Sequence, residues 1–381
     1  MLIWIKILLV LIGLWLIVST LLNFSKSPHW YIRGWDFTRV FTAVLAAAVA
    51  LPYAIFFRRN AFDWLLLAGL AFVVGRQLYM IFPYTPIAPR RVKRSDRPPG
   101  DDSFKLLISN VRQENEQFDR WLEVVRAADP DVVVALETDQ KWDAAIAGLK
   151  STHPHVVRHI QDNYYGMVLY ARLELVESKV RFMVQDDIPS IHATLRLRDG
   201  QHVFLHALHP RPPEPLRDQD SAPRDAELVT MGKQIGEHER DDPTVVCGDL
   251  NDVAWSYTTK LFLRLSKLLD PRMGRGMYNS FNAESRVWRF PLDHVFHSNE
   301  FKLIDLRVLD YVGSDHFPVF IELSCQPERA PREQAETREK PGDRANADEI
   351  EQQAQDQAGG EKAADPSRQG EKRPAVGTRG S

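Results

Sequence analysis

The sequence is poor in cysteine, with two among 381 residues. Cys247 sits inside an apolar run and Cys325 closes another, so no disulfide framework is evident and the redox compartment stays open. The same scarcity argues against a structural zinc site. His153, His155 and His159 cluster, but they lack cysteine partners and the spacing of a tetrahedral centre. Internal repeats are absent. Residues 327–381 have almost no large apolar side chains, so burial cannot offset their ordering entropy and they are expected to form a disordered charged tail. The first apolar run lacks the basic start and the A-x-A site of a cleaved signal peptide.

Long apolar runs are what the chain does have. Leu2–Leu22, Thr38–Phe57 and Phe62–Phe82 are each long enough, at about 1.5 Å per residue, to cross a hydrocarbon layer of about 30 Å. Residues 1–83 are therefore expected to be a membrane domain of three transmembrane helices in a lipid bilayer, with two spans as the alternative. Arg76 lies near the end of the third, where a long side chain snorkels to the interface. Three spans put the amino terminus and the rest of the chain on opposite faces. Lys26, Arg33, Arg39, Arg90, Arg91, Lys93, Arg94 and Arg97 flank the far side and favour a cytoplasmic domain, while Arg58 and Arg59 pull the other way. Residues 84–102, with "APRRVKRSDRPPG", read as a basic, proline-rich extended linker whose cations can meet anionic headgroups.

Residues 103–326 mix apolar and charged side chains as a globular domain does. "KLLISNV" and "DVVVALE" read as strands around the amphipathic helix "FDRWLEVVRAA". Five further strand-like runs follow as a meander. Helices around Arg224–Glu239 and Ser256–Leu268 flank "TVVCGDL", and "LDHVFHS" and "SDHFPVFIEL" close the domain. This alternation predicts an α/β domain with two packed mixed sheets and covering helices.

The polar residues fall where the strands end. Asn110, Glu137, His209, Asp249 and Asn251 each finish an apolar run, and "RFPLDH" and "GSDH" bring Asp293, Asp315 and His316. Any one of them is ordinarily a cap or a turn residue. Together they match a chemical need. Magnesium takes oxygen ligands and keeps several waters, so it needs one or two carboxylates plus a substrate phosphate. Phosphoester hydrolysis adds a base for water and donors for the non-bridging oxygens.

The ordered set "ETDQ", "GDLND", "LDHVF" and "SDHFPV" resembles the endonuclease/exonuclease/phosphatase superfamily, including its membrane-anchored bacterial-type members, over roughly residues 104–324. The resemblance implies a four-layer α/β sandwich and a divalent-metal site, magnesium or manganese, at one sheet edge. It makes Asn110 a phosphate or metal-shell ligand, Glu137 the principal metal ligand and Asp315 the completion of the metal shell. His209 would contact the scissile phosphate, Asp249 would activate water, and Asn251 would donate to phosphoryl oxygens. Asp293 would orient His316, which would meet the phosphate or leaving group. His206 competes with His209, but an odd offset on a strand sends the two to opposite faces. His294 and His297 read as structural, and Tyr164 and Tyr165 as substrate contacts.

Residues 103–326 carry 26 Lys and Arg against 34 Asp and Glu, a net charge of −8, which disfavours a broad grip on a polyanion. Arg272, Arg275, Arg286 and Arg289 form either a local basic patch or a solvated face. The expected function is a membrane-anchored magnesium-dependent phosphoesterase acting on a phosphomonoester, phosphodiester or pyrophosphate, of either a lipid-linked or a small substrate. A nuclease acting on nucleic acid and a non-catalytic binding protein on the same fold are the alternatives.

Overall fold

The computed structural model describes residues 2–213, 220–238 and 242–364. Three of its helices are long and apolar enough to cross a membrane: α1 (Leu2–Leu22), α3 (Arg39–Phe56) and α4 (Ala61–Ile81), with the short α2 (Trp30–Phe37) between the first two. Leu16, Ala46, Tyr53, Leu66, Leu70 and Val73 pack them together, while Trp15, Leu51 and Leu65 point outward. The few polar groups between them are paired. Asp63 takes Lys6 at 2.7 Å and the Tyr53 hydroxyl at 2.7 Å, and Gln77 donates to Thr20 at 3.0 Å.

The remainder is a four-layer α/β sandwich. Strands β1 (Ser103–Asn110), β2 (Val132–Leu136), β3 (His155–His159) and β4 (Met167–Ala171), with α5 (Phe118–Ala128) and α6 (Gln140–Ile146), build the first half. Strands β5 (Glu174–Phe182), β6 (Pro189–Arg196), β7 (His202–Ala207), β8 (Thr244–Asp249) and β9 (Asp293–His297), with α7 (Ala222–His238) and α8 (Tyr257–Ser266), build the second. Strands β10 (Phe301–Val308) and β11 (Val319–Cys325) return to the first. The sheet orders are β10-β11-β1-β2-β4-β3 and β5-β6-β7-β8-β9, antiparallel except for the β1–β2 and β7–β8 pairs.

Period-two alternation sorts the layers. Leu106 and Ile108 of β1 and Val245 and Cys247 of β8 face the core between the sheets. Leu107 faces Trp121 and Trp142 of α5 and α6 on one outer side, and Val246 faces Met231 and Phe262 of α7 and α8 on the other. Continuing the inward parity to the strand ends brings Asn110 and Asp249 to the same edge of the sandwich.

Two expectations change. The segment 84–102 is not a free linker. Val92 is fully buried in the domain core, and Lys93 and Ser95 pair their backbones with Leu303 of β10 at 3.0 and 2.8 Å. The tail also folds in part, as α9 (Ala330–Glu333) and α10 (Asp343–Ala364). Ala347, Ile350 and Ala354 recur at helical spacing and pack on Ala222, Ala226, Val229, Leu261 and Leu265. Small side chains let the helices approach closely, which a count of large apolar residues overlooks. Asp343 adds a two-pronged pair with Arg264 at 2.7 and 2.9 Å. Residues 365–381 lie outside the described residues.

The apolar helices are seated on the domain. Trp255 donates its indole N–H to the Asp36 carbonyl at 2.7 Å, and the Tyr84 hydroxyl donates to the Ala254 carbonyl at 2.7 Å. Ile81, Tyr84, Val253, Ala254, Trp255 and Leu292 form one buried cluster there. Residues 253–255 directly follow "GDLND", so this junction adjoins the edge where the polar residues gather.

Candidate active site

A cleft of about 570 Å³ opens at that edge, lined by Glu137, Tyr164, Tyr165, His209, Arg211, Asp249, Asn251, Phe281, Asp315 and His316. Side chains from nearly two hundred positions of sequence thus meet, and Asn110 and Asp293 lie directly behind them.

Each is placed by a local feature. Asn110 ends β1 in register with Leu136 of β2, and its Nδ2 donates to Glu137 Oε1 at 2.7 Å and to Asp249 Oδ2 at 3.1 Å. Glu137 would fall on the outer face by strict alternation, but its left-handed backbone (φ 62°) breaks the parity and brings its carboxylate to Asn110. Arg112, Tyr164 and Asn251 share that uncommon conformation, so four strained positions gather round the cleft. Gly248 accounts for the glycine of "GDLN". Its φ is 135°, and a Cβ there would stand 1.9 Å from the Leu208 carbonyl oxygen.

Asp249 and Asp293 are cross-strand partners in the β8–β9 pair. Two carboxylates directly opposite repel unless a cation lies between them. His316 supplies it, with Nδ1 donating to Asp293 Oδ2 at 2.7 Å and Nε2 at 3.5 Å from Asp249 Oδ2. Burial on its own would lower the His316 pKa. The Asp293 and Asp249 charges and the Asp293 hydrogen bond outweigh it, raising the pKa to about 10, so the ring is an imidazolium. His209 is the opposite case. Burial, helped by the His316 charge, takes it down to about 3, so its 3.8 Å approach to Asp249 is not an ion pair. Burial likewise raises Glu137 to about 7 and holds Asp249 above the usual carboxylate range.

The remaining sequence candidates fall as follows. Asn251 gives its backbone N–H to Asp249 Oδ1 at 2.9 Å and its side-chain amide to the Pro210 carbonyl at 3.0 Å while still lining the cleft. Asp315 faces the cleft beside Ser314, whose hydroxyl donates to the Asn110 carbonyl. His206 pairs with His192 at 2.7 Å and does not line the cleft, as the parity argument expected. Asp252 turns inward to Ser256, and His294 is held between Arg272 and the Asp252 carbonyl. Tyr164 and Tyr165 both line the cleft.

Two of the readings left open by the sequence are narrowed. Asn110 is a donor here: its Oδ1 accepts the Arg112 backbone N–H at 3.0 Å, so the amide turns N–H groups, not oxygen, toward the carboxylates. The arginine patch does not form. Arg272 is buried against Asp270, Arg275 donates to the Pro271 and Val92 carbonyls, and Arg289 donates to the Ser285 carbonyl. The sequence reading also missed Phe281, whose ring lies 4.9 Å from His316, and Arg211, which stacks over Tyr165 at 5.4 Å and pairs with Asp187. Arg211 stood two residues past His209; nothing in the sequence marked Phe281.

The donor set fits a hard divalent cation. Glu137, Asp249 and Asp315 line the one cleft, while the nearby Arg211 is taken by Asp187 and Arg112 by Glu284. A half-buried carboxylate at Glu137, bonded only to N–H donors, is what such an ion would neutralise. Ligand atoms of Asp249, Asp293 and His316 also lie within 4.8 Å of one another, the spacing of a metal-binding group. The His316–Asp293 hydrogen bond already occupies two of these atoms, so the oxygen face at Glu137 is the better fit.

Residues 107–316 match the profile of the Endonuclease/Exonuclease/phosphatase family. The chain belongs to this family. Endonuclease/exonuclease/phosphatase proteins are generally metal-dependent hydrolases of phosphoester bonds. Among solved structures, the chain is similar to the human Nocturnin catalytic domain with bound sulfate, at 18% identity and a TM-score of 0.48 over 59% of this chain and 95% of that one. A Bacteroides thetaiotaomicron protein of the family gives 19% and 0.48 over 60% and 97%. Humanized D. rerio TDP2 gives 13% and 0.49 over 58% and 99%. No curated protein matches the chain.

Proposed function

We propose that the protein is a membrane-anchored, magnesium-dependent phosphoesterase, anchored by α1, α3 and α4. The observation that carries this reading is the fixing of Asp249. Asn251 N–H holds one carboxylate oxygen and Asn110 the other, 3.5 Å from the His316 imidazolium. Burial keeps Asp249 a stronger base than a solvated aspartate, suited to orienting a water and accepting its proton. Asp293 fixes the His316 ring so that Nε2–H donates toward the cleft, where negative charge develops on a phosphoryl group. Neutral His209 adds a second ring, held against Tyr165 at 5.3 Å. Glu137 and Asp315 would hold the cation, which when bound supplies charge neutralisation for the phosphoryl oxygens.

The net charge of −8 over residues 103–326 and the apolar helices favour a lipid-borne or small phosphoester over nucleic acid. The test is a substrate screen on the purified full chain with magnesium, manganese or chelator, set beside Asp249→Asn and Glu137→Gln. Metal-dependent release of phosphate from polyprenyl pyrophosphate, or of an alcohol from a phosphodiester to leave the monoester, is expected, with losses of about 10²-fold or more in each variant. Rapid nicking of plasmid DNA in place of such release would reverse the substrate order. Activity unchanged in both variants would overturn the enzymatic reading.

A further inference from the structure

Two apolar side chains beside the cleft are largely exposed, Val287 at 67% and Trp288 at 52%. Val287 stands in the turn of loop 282–289 and Trp288 on its returning arm, where the Trp288 carbonyl accepts the Asn282 N–H at 3.3 Å just above the base pairing of Phe281 with Phe290. On the cleft side, Phe281 lies against His316. On the other side, the Trp288 ring lies 4.2 Å from Phe41, and the Phe290 ring 5.7 Å from Phe37. Phe41 is in the first turn of α3, so this arm of the loop stands level with the point where an apolar helix begins. Ring contacts therefore run from the end of that helix through Trp288 to Phe290, whose backbone pairs with that of Phe281, and the Phe281 ring in turn lies against His316.

A half-exposed tryptophan next to a bulky aliphatic is costly in water and favourable at the headgroup level of a bilayer, where an indole satisfies both its apolar ring and its N–H. The contact with Phe41 says which surface covers it, because the layer that receives α3 is the one the loop reaches. Glu284, Ser285 and the exposed Arg286 on the same loop give it a polar collar.

We propose that loop 282–289 inserts Val287 and Trp288 into the interfacial layer of the leaflet nearest the cleft, and that the aromatic path from Phe41 to Phe281 leads the phosphate of a membrane-embedded amphiphile to His316. The path rests on the phosphoesterase reading above; the insertion does not. It makes the preferred substrate a phosphoester whose apolar tail stays in the bilayer during turnover.

The test uses the full chain in phospholipid nanodiscs with two chromogenic substrates of one headgroup, hexadecyl p-nitrophenyl phosphate in the bilayer and methyl p-nitrophenyl phosphate in solution. Val287→Asp and Trp288→Ser are expected to lower kcat/KM on the hexadecyl ester about tenfold and to leave the methyl ester within about twofold. Val287→Asp leaves the Trp288–Phe41 packing in place, which guards against a folding defect in the other variant. Because Cys247 and Cys325 are buried, a bimane dye on Val287→Cys reads the loop alone, and a lipid-borne quencher at headgroup depth is expected to quench it. Equal losses on both esters, or a dye the lipid quencher does not reach, would overturn the proposal, as would shielding of the dye by an added protein. Failure of the unaltered protein on both esters would remove the phosphoesterase reading and the path with it, while quenching would still judge the insertion.

Discussion

Replacing Asn110 separates two roles that the sequence left merged. As an oxygen ligand, Asn110 would be improved by Asn110→Asp, which adds charge toward a cation. As a donor between Glu137 at 2.7 Å and Asp249 at 3.1 Å, it would be ruined by the same change, which sets a third carboxylate against two others. Each charge-assisted hydrogen bond of this kind contributes about 1.5–3 kcal/mol. Loss of both amounts to about 3–6 kcal/mol of positioning, and at about 1.4 kcal/mol per tenfold in rate this bounds the effect at about 10²–10⁴ in kcat/KM. Asn110→Ala is expected near the lower bound, because it only removes the donors. Asn110→Asp is expected nearer the upper one, because it adds repulsion in a buried site. The assay is phosphoester cleavage across a magnesium titration for the three proteins. An Asn110→Asp protein that keeps its rate, or saturates at lower magnesium, would refute the donor role and restore the ligand.

Glu227, buried in α7, has a carboxylate oxygen without a hydrogen-bond partner, and burial raises its pKa to about 8. A folded-state pKa above the free glutamate value of 4.5 gives stability that is complete below that value and lost as pH rises to about 8. Glu227→Gln is therefore expected to flatten the fall in Tm between these pH values, by a few kcal/mol at the alkaline end, and an unchanged profile would count against it. Gly248→Ala forces a Cβ against the Leu208 carbonyl at a φ of 135°, and should cost at least about 3 kcal/mol, a drop of about 6–12 °C in Tm. Ending the chain before Asp343 removes the Arg264 pair and uncovers Ala222, Ala226 and Leu261, so Tm should fall while kcat/KM per folded molecule holds. A matching loss of kcat/KM would show that α10 reaches the site.

The strand ends were readable because their side-chain period is rigid. Once Ile108 and Cys247 face inward, Asn110 and Asp249 follow, and the same arithmetic kept His206 away from the cleft. What alternation cannot reach are positions where the backbone leaves the strand. Glu137 arrives by a left-handed residue, and Phe281 comes from a loop whose course depends on the helices beneath it. The donor sense of Asn110 was hidden for another reason. An amide offers both a donor and an acceptor, and the Arg112 N–H decides between them. Helix α10 was missed because alanine at 347 and 354 carries little hydrophobic weight alone and much when it lets a neighbouring helix come close.

Val92 locked into the domain core and Trp255 hooked to Asp36 turn what reads as a tether into a pedestal. A catalytic head on a loose leash samples a hemisphere of solution, whereas one bolted to its stalk keeps its mouth at a constant height and tilt. If α1, α3 and α4 anchor it in a bilayer, as proposed, the cleft meets chiefly what diffuses laterally beneath it. Its encounter rate then scales with the areal density of its target, and lengthening residues 84–102 with a flexible insert would widen its diet at the expense of its address.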